Sequence, residues 1–426
     1  MKHFISCIIV YLCCIEVVSA QLEYNNWLTT NGLLMSFLDK LSFNTQHLDI
    51  EPLASETVVT ISDPVKGNYL FSYGVEYNNC ISPKKDFRAI VRDTYMRKIP
   101  AQGAKTNYFL HGCPTTKQGF IVLPSHYECG KYLLLSSIGI EFSGDEKYIG
   151  TIAYNTLDMN RNTKNGEILR PLNNIFYKNY LSESLAATIH ANGKDYWIIS
   201  SLTSDNTPFI AIPVIKDIPD TSKIVYSAHG IQKGSVSSTI SISPNSEYLY
   251  NNYNQSMLYK FSNSTGIATP YILLDTLKDR AGKLLSSYKC TYYSGTFSYT
   301  SDMLYVKIYN GSIPPSSPQN TILQVDILNK KFQFISLPES TLAFNIGHSL
   351  LCLSPDKNIY FNTQNKEYLD VWKITKSNTL YPVLENTNRF SSSDLEGYLK
   401  YFSTRNIAPN FSHHVFDPNY KRIPTL

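Results

Sequence analysis

Charge is scarce in this chain: Asp, Glu, Lys and Arg make up 17% of 426 residues, and the formal net charge is only +4. No Lys/Arg stripe of the kind that tracks phosphates is present, so nucleic acid is not an expected partner. Long apolar runs are also missing after the first 20 residues, which leaves no candidate membrane helix in the rest of the chain. GxSxG, HExxH and P-loop patterns are absent, and with them the ordinary signatures of a serine hydrolase, a zinc protease and a nucleotide site. Cysteine is too sparse and too scattered for a metal site or a disulfide framework. Beyond the N-terminal run only Cys80, Cys113, Cys129, Cys290 and Cys352 remain, with no CxxC among them. One pair could still bridge in an oxidising compartment, Cys113 and Cys129 being nearest in sequence. No cofactor and no metal is expected.

What is present begins with a short basic start at Lys2 and His3, an apolar stretch from Phe4 to Val18, and Val18-Ser19-Ala20 before Gln21. This small-x-small pattern predicts a signal peptide over residues 1–20 and an exported, monomeric protein with no transmembrane segment once the signal is removed. The remaining chain is rich in β-forming residues, with 32 Tyr and 20 Phe, and is cut at short intervals by Asn, Gly, Pro and Ser.

Those short runs repeat. An apolar strand, a polar turn and a second Tyr-rich strand occur in "TVVTISDPVKGNYLFSYG" from Thr57, "GFIVLPSHYECGKYLLLSS" from Gly119 and "LAATIHANGKDYWIISS" from Leu185. They return in "STISISPNSEYLYNN" from Ser238, "CTYYSGTFSYTSDMLYVKI" from Cys290 and "SLLCLSPDKNIYFNT" from Ser349. The spacing of second strands is 52 to 64 residues, which suits a four-stranded, WD40-like propeller blade with generous loops. Third strands such as "YIGTIAYN", "MLYKFS", "TILQVDIL" and "YLDVWKIT" complete the pattern, and "GEILRPL", "PYILLDT" and "FQFISLP" supply fourth strands. The fold expected is therefore an all-β propeller over residues 21–420, with a short tail at 421–426.

Six repeats leave strand-like material at both ends, "YNNWLTT" and "LLMSFLD" early and "NFSHHVF" late. A blade shared between the termini would hide exposed edges, so seven blades, with the ring closed by N- and C-terminal strands, are expected ahead of six.

"CPTTKQGFIVLPSHYECGKYLLLSS", "YNTLDMNRNTKNGEILRPLNN" and "ESLAATIHANGKDYWIISS" resemble, in that order, the β-propeller module of secreted Bacteroidota surface proteins. The resemblance implies a propeller at the cell surface or outside the cell, and no established catalytic residues. Members commonly carry PKD repeats and a type IX secretion sorting domain after the module; this sequence shows neither, so the periplasm or another export route stands as the alternative.

Several patterns look like chemistry. "HANGKDYWII" from His190 groups His190, Asn192, Gly193 and Asp195, yet its place between two strands predicts a tight turn with His190 ending the inner strand. "DMNRNTKNGE" begins as a calcium loop with Asp158, Asn160 and Asn162, but Thr163 and Leu169 stand where such a loop needs Gly and Glu. His413 and His414 are adjacent and would point to opposite faces of a strand. His111 lies two residues from Cys113 without a third partner, a weak pattern for a thiol nucleophile. Sequons at Asn254, Asn263, Asn310 and Asn410 would carry no glycan in a bacterium, and "GSIPPSSPQN" from Gly311 is a candidate recognition loop.

Residues just before the inner strands should line the central funnel. Gln118, Glu183, Ser237 and His348 are therefore the candidate binding residues, with blade-to-blade hydrogen bonding as the competing role. The function expected is a non-enzymatic binding or scaffolding module for protein or glycan at the bacterial envelope. The alternative is a propeller-type hydrolase, lactonase-like or glycan-cleaving, with Glu183 and His348 as its first suspects.

Overall fold

The computed structural model describes strands within residues 26–47 and most of residues 58–384; the longest internal stretches outside the described residues are 76–88, 139–149, 228–238, 311–319 and 337–350. The N-terminal apolar run, Cys80, Cys113, Ser237, the 311–319 loop, His348, and the His413-His414 segment all lie outside the described residues.

Strands follow one another as antiparallel meanders. Blade I contains β4 (Val59–Ser62), β5 (Tyr69–Val75) and β6 (Ala89–Asp93). Blade II contains β7 (Phe120–Pro124), β8 (Lys131–Ile138), β9 (Thr151–Asp158) and β10 (Glu167–Ile168), with β11 (Asn174–Lys178) also pairing β9. Blade III repeats this with β12 (Ala186–Ile189), β13 (Tyr196–Ser201), β14 (Phe209–Ile215), β15 (Ile218–Pro219) and β16 (Val225–Ser227).

The last three blades are four-stranded. Blade IV is β17 (Ile240–Ile242), β18 (Tyr248–Asn251), β19 (Met257–Phe261) and β20 (Ala268–Leu273). Blade V is β21 (Cys290–Phe297), β22 (Met303–Asn310), β23 (Asn320–Asp326) and β24 (Lys331–Ser336). Blade VI is β25 (Cys352–Leu353), β26 (Ile359–Gln364), β27 (Leu369–Ile374) and β28 (Leu380–Leu384).

Because each blade is sandwiched between two others, inner strands are buried on both faces and read as unbroken apolar runs instead of alternating ones. All residues of β7, β12 and β13 are buried. Separate apolar layers join blades II to III, III to IV and IV to V. One further core cluster holds Val59 and Tyr73 of blade I together with Tyr305 of blade V and Leu353 and Tyr360 of blade VI. First and last blades thus share a core, and the ring is a six-bladed propeller.

This corrects the expectation of seven blades. The early strands do not await a C-terminal partner: β1 (Asn26–Leu28), β2 (Leu33–Ser36) and β3 (Asn44–His47) pair with one another in a separate three-stranded sheet, with β1 lying against β4. No blade shared between the two termini is formed among the described residues. The alternative of six, inferred from the repeats themselves, is the observed number.

The turn between the first two strands is the same device six times. Its first residue, Asp63, Ser125, His190, Ser243, Ser298 or Ser354, donates its backbone N–H to the carbonyl at the start of the second strand, at 2.7 to 2.9 Å. One left-handed residue makes each reversal: Gly67, Gly130, Gly193, Ser246, Ser301 and Lys357, with φ between +61° and +75°. Glycine adopts this conformation freely, whereas Ser and Lys do so at a cost of about 1 kcal/mol. Cross-links between these turns show that consecutive blades point the same way: the Thr188 and Ser246 hydroxyls meet at 2.5 Å, and Asn245 donates its N–H to Ser301 Oγ at 3.2 Å.

Candidate functional site

Gln118 and Glu183, the two described members of the expected funnel set, do come together. Gln118 donates its backbone N–H to the Glu183 carbonyl at 3.2 Å, so the starts of the inner strands of blades II and III touch. The Gln118 side chain then passes to blade IV. Its Oε1 accepts the Ile240 N–H and its Nε2 donates to the Ile240 carbonyl, both at 2.8 Å. A carboxamide presents one donor and one acceptor at the spacing of a peptide group, which is why Gln suits this position.

Glu183 is 1% exposed and sits among serines. Ser182, Ser184 and Ser201 are mutually hydrogen-bonded, with Ser182 to Ser184 at 2.6 Å and Ser184 to Ser201 at 2.5 Å. Ser200 donates to the Ser184 carbonyl at 2.6 Å. The Gln118 side chain and the Glu183 backbone carbonyl thus take part in blade-to-blade contacts. At this same end, the Asn251 carboxamide, in a residue 1% exposed, and the Thr239 hydroxyl have no hydrogen-bond partner among the described residues. Asn251 pairs with Ile240, so this unsatisfied amide stands one strand out from the Gln118 contact.

The opposite end of the ring carries the hairpins between first and second and between third and fourth strands. Large apolar side chains lie open there: Tyr95 and Leu328 are each 72% exposed, Ile218 is 61% and Tyr127 is 42%. With Ile267, 45% exposed in the β19–β20 hairpin, five such side chains stand at this end of the disc.

His190 proves to be the first residue of its turn, one position beyond Ile189, where β12 ends, rather than the last residue of the strand. Four equivalent turns use serine in that place. Its Nδ1 accepts the Asn192 N–H at 3.1 Å, as Ser125 Oγ accepts the Tyr127 N–H at 3.0 Å, so the imidazole substitutes for a turn-forming hydroxyl. Asn192 Oδ1 accepts the N–H groups of Lys194 and Asp195, both at 3.0 Å, and the His190 ring stacks on Trp197 with centroids 5.4 Å apart. Trp197 Nε1 donates to the Asn263 carbonyl at 2.8 Å, which ties the turn to blade IV.

Asp195 instead faces blade II. Its carboxylate accepts the Tyr127 hydroxyl at 2.8 Å, the Lys216 N–H at 3.0 Å and Asn192 Nδ2 at 2.7 Å. Burial pushes its pKa up, but these bonds outweigh it and hold the carboxyl below the ordinary range. Asp217, in the next hairpin, accepts the Ser125 hydroxyl. Burial pushes Asp217 up, and the Glu128 and Asp195 carboxylates add to the rise. Two carboxyls on neighbouring hairpins are thus driven in opposite directions.

His111 is buried, with its Nδ1 2.8 Å from Ser136 Oγ and its Nε2 2.7 Å from Thr151 Oγ1. Burial lowers its pKa to about 3 and keeps the ring neutral. Asp158 accepts the Asn160 N–H at 3.0 Å and pairs with Arg161 at 3.3 Å, so its oxygens serve the loop in place of a cation. Cys129, Cys290 and Cys352 are unbridged. Among the described residues no three His, Cys, Asp or Glu side chains converge at metal-binding distance, and no helix is long and apolar enough to cross a membrane.

No protein-family model and no curated protein matches the chain. The fold does match solved structures. A protein described as a putative 6-phosphogluconolactonase from Bacteroides uniformis aligns over 85% of this chain and 96% of its own, with 13% identity and a TM-score of 0.50. A second protein so described, from Bacteroides fragilis, aligns over 85% and 94% with 8% identity and a TM-score of 0.47. The Dos1 propeller aligns over 85% and 81% with 12% identity and a TM-score of 0.45. At such identities the likeness is one of architecture: the chain is a β-propeller.

Proposed function

We propose that this protein is an exported, non-enzymatic propeller that binds a protein or glycan at the bacterial envelope or outside the cell. The observation that carries this reading is the contrast between the two ends of the ring. The Gln118 carboxamide and the Glu183 backbone carbonyl are engaged in holding blades together, whereas Tyr95, Tyr127, Ile218 and Leu328 stand open on the hairpin end. Aromatic and aliphatic side chains on rigid turns form contact surface at little entropic cost, because the scaffold is already ordered. The N-terminal sequence and the resemblance to Bacteroidota surface modules support the export and the setting.

A test is retention of the purified protein on an isolated Bacteroidota envelope fraction, alongside a glycan array. Substituting Tyr95, Ile218 and Leu328 together by Ser should abolish retention while leaving the β-sheet circular dichroism intact. Undiminished binding by that triple variant would remove the hairpin end from consideration.

A second reading has one specific observation in its favour. The Asn251 carboxamide and Thr239 hydroxyl at the inner-strand end, without partners among the described residues, suit a small polar ligand, as a lactonase-like or glycan-cleaving hydrolase would need. Turnover of a sugar lactone that is lost in an Asn251→Leu variant would favour it over the binding module.

A further inference from the structure

Blades II and III meet at the hairpin end through a paired contact, and of its residues only the ring of Tyr127 enters the binding surface proposed above. One turn of blade II donates two hydroxyls, from Ser125 and Tyr127, to two carboxylates of blade III, Asp217 and Asp195. Those carboxylates lie on different hairpins, and the Lys216 N–H, next to Asp217, donates to Asp195 at 3.0 Å. Ser125 Oγ already accepts two backbone N–H groups, from Tyr127 at 3.0 Å and Glu128 at 2.9 Å. Its proton is therefore free only for Asp217, and the turn of blade II and the second hairpin of blade III are ordered together.

The charges around this contact are unbalanced. Asp217 faces Glu128 and Lys131 of blade II and Asp195 of blade III, while Glu128 and Lys131 already form an ion pair with each other. Asp195 is surrounded by donors, Tyr127, Asn192 and the Lys216 N–H, and feels the nearby His190. One carboxylate is fully solvated by hydrogen bonds; the other has a single hydroxyl and two negative neighbours.

We propose that this contact is a proton-operated clasp: Asp217 takes up a proton as the medium turns acidic, and the junction between blades II and III tightens. Ionised, Asp217 repels Glu128 across the junction and Asp195 within blade III. Protonated, it loses that repulsion and keeps its bond to Ser125, now also able to donate. Because burial and its neighbours raise the Asp217 pKa in the folded state, its contribution to stability is fully present below the ordinary carboxylate value and is lost as pH rises through the raised one. Asp195 behaves in the reverse sense, its contribution being present above the ordinary value and lost below it. Two carboxyls held by one turn of blade II thus respond to acid with opposite signs.

The test uses the full chain and two variants, Asp217→Asn and Asp195→Asn, melted at pH 7.5 and pH 5. Asp217→Asn imitates the protonated clasp and should raise the melting temperature at pH 7.5 by about 1–3 °C, with the gain over wild type shrinking at pH 5. Asp195→Asn should lower it at pH 7.5. In wild type, hydrogen exchange at the Tyr127 and Glu128 amides, corrected for intrinsic rates, should slow several-fold on acidification, and this response should vanish in Asp217→Asn. No gain at pH 7.5, or an equal difference at both pH values, overturns the clasp. If Asp217→Asn does not fold, Glu128→Gln removes one of the two repelling carboxylates and must show the same exchange pattern, slower at pH 7.5 than wild type. An unchanged pattern overturns the proposal equally.

Discussion

Gln118 and Ile240 are 122 residues apart and belong to blades that are not neighbours, yet the Gln118 carboxamide accepts the Ile240 N–H and donates to the Ile240 carbonyl, both at 2.8 Å. The contact skips blade III, so it acts across the ring in addition to along it. Removing the carboxamide in Gln118→Ala leaves a buried peptide N–H and C=O without partners, which should lower stability by about 1–3 kcal/mol. Urea unfolding checks this. Loss of envelope retention in that variant with an unchanged urea midpoint would instead return Gln118 to a binding role.

His111 predicts a pH dependence. Held neutral with a folded pKa of about 3, against an ordinary value near 6.5, it leaves the unfolded chain as the better proton acceptor between those limits. Stability should therefore be intact above about pH 6.5 and fall by up to about 1.4 kcal/mol per pH unit below it. The slope of unfolding free energy between pH 6 and pH 4 should flatten by one proton in His111→Gln, even though that variant starts lower at pH 7.

Gly193 and Gly266 have nearly the same positive φ, +72° and +73°, but different surroundings. A Cβ at Gly193 meets open space, whereas one at Gly266 would come within 2.8 Å of the Trp197 ring. Gly193→Ala should cost about 1 kcal/mol from backbone strain, and Gly266→Ala at least twice that. His190→Ala should resemble Gly193→Ala in size, since it removes the stacking on Trp197 and one turn hydrogen bond. Chemical denaturation of the three variants orders them.

Lys307 is buried in β22, and burial lowers its pKa well below the usual lysine value. A lysine so placed favours folding more as pH rises toward its ordinary value near 10.4, because the unfolded chain holds the extra proton. Lys307→Met should raise the melting temperature at pH 7 and abolish one proton's share of the rise in stability between pH 7 and pH 10. A lower melting temperature at pH 7 would count against this account.

The blades were legible because each first hairpin must solve the same reversal in a few residues, and Pro, Gly, Asn and Ser announce that solution locally. His190 was readable as a turn residue for this reason, though its exact place was set by hydrogen bonding that composition does not show. The number of blades was harder. "YNNWLTT" and "LLMSFLD" declare strands but not partners, and pairing among themselves depends on a loop geometry that no local signal fixes. The extra outer strands β11 and β16 likewise pair with β9 and β14 across intervening loops. Gln118 was singled out by its position before an inner strand, but its partner is a backbone amide, which every residue possesses. Asp195 and Asp217 escaped as a pair because they sit on two different hairpins and are joined only through blade II.

The left-handed turn residues divide the ring in a way that bears on how its blades are ordered. Blades I to III use glycine there, which reaches for nothing. Blades IV to VI use Ser246, Ser301 and Lys357, and each side chain touches the preceding blade: Thr188, the Asn245 N–H, and the Tyr299 ring 4.2 Å away. A glycine at this position makes no demand on the preceding blade, whereas a side chain that touches that blade is keyed to it. From blade IV onward the left-handed residue itself helps fix blade order, whereas in blade III that work falls to Asp195 and Asp217, which take the Tyr127 and Ser125 hydroxyls of blade II.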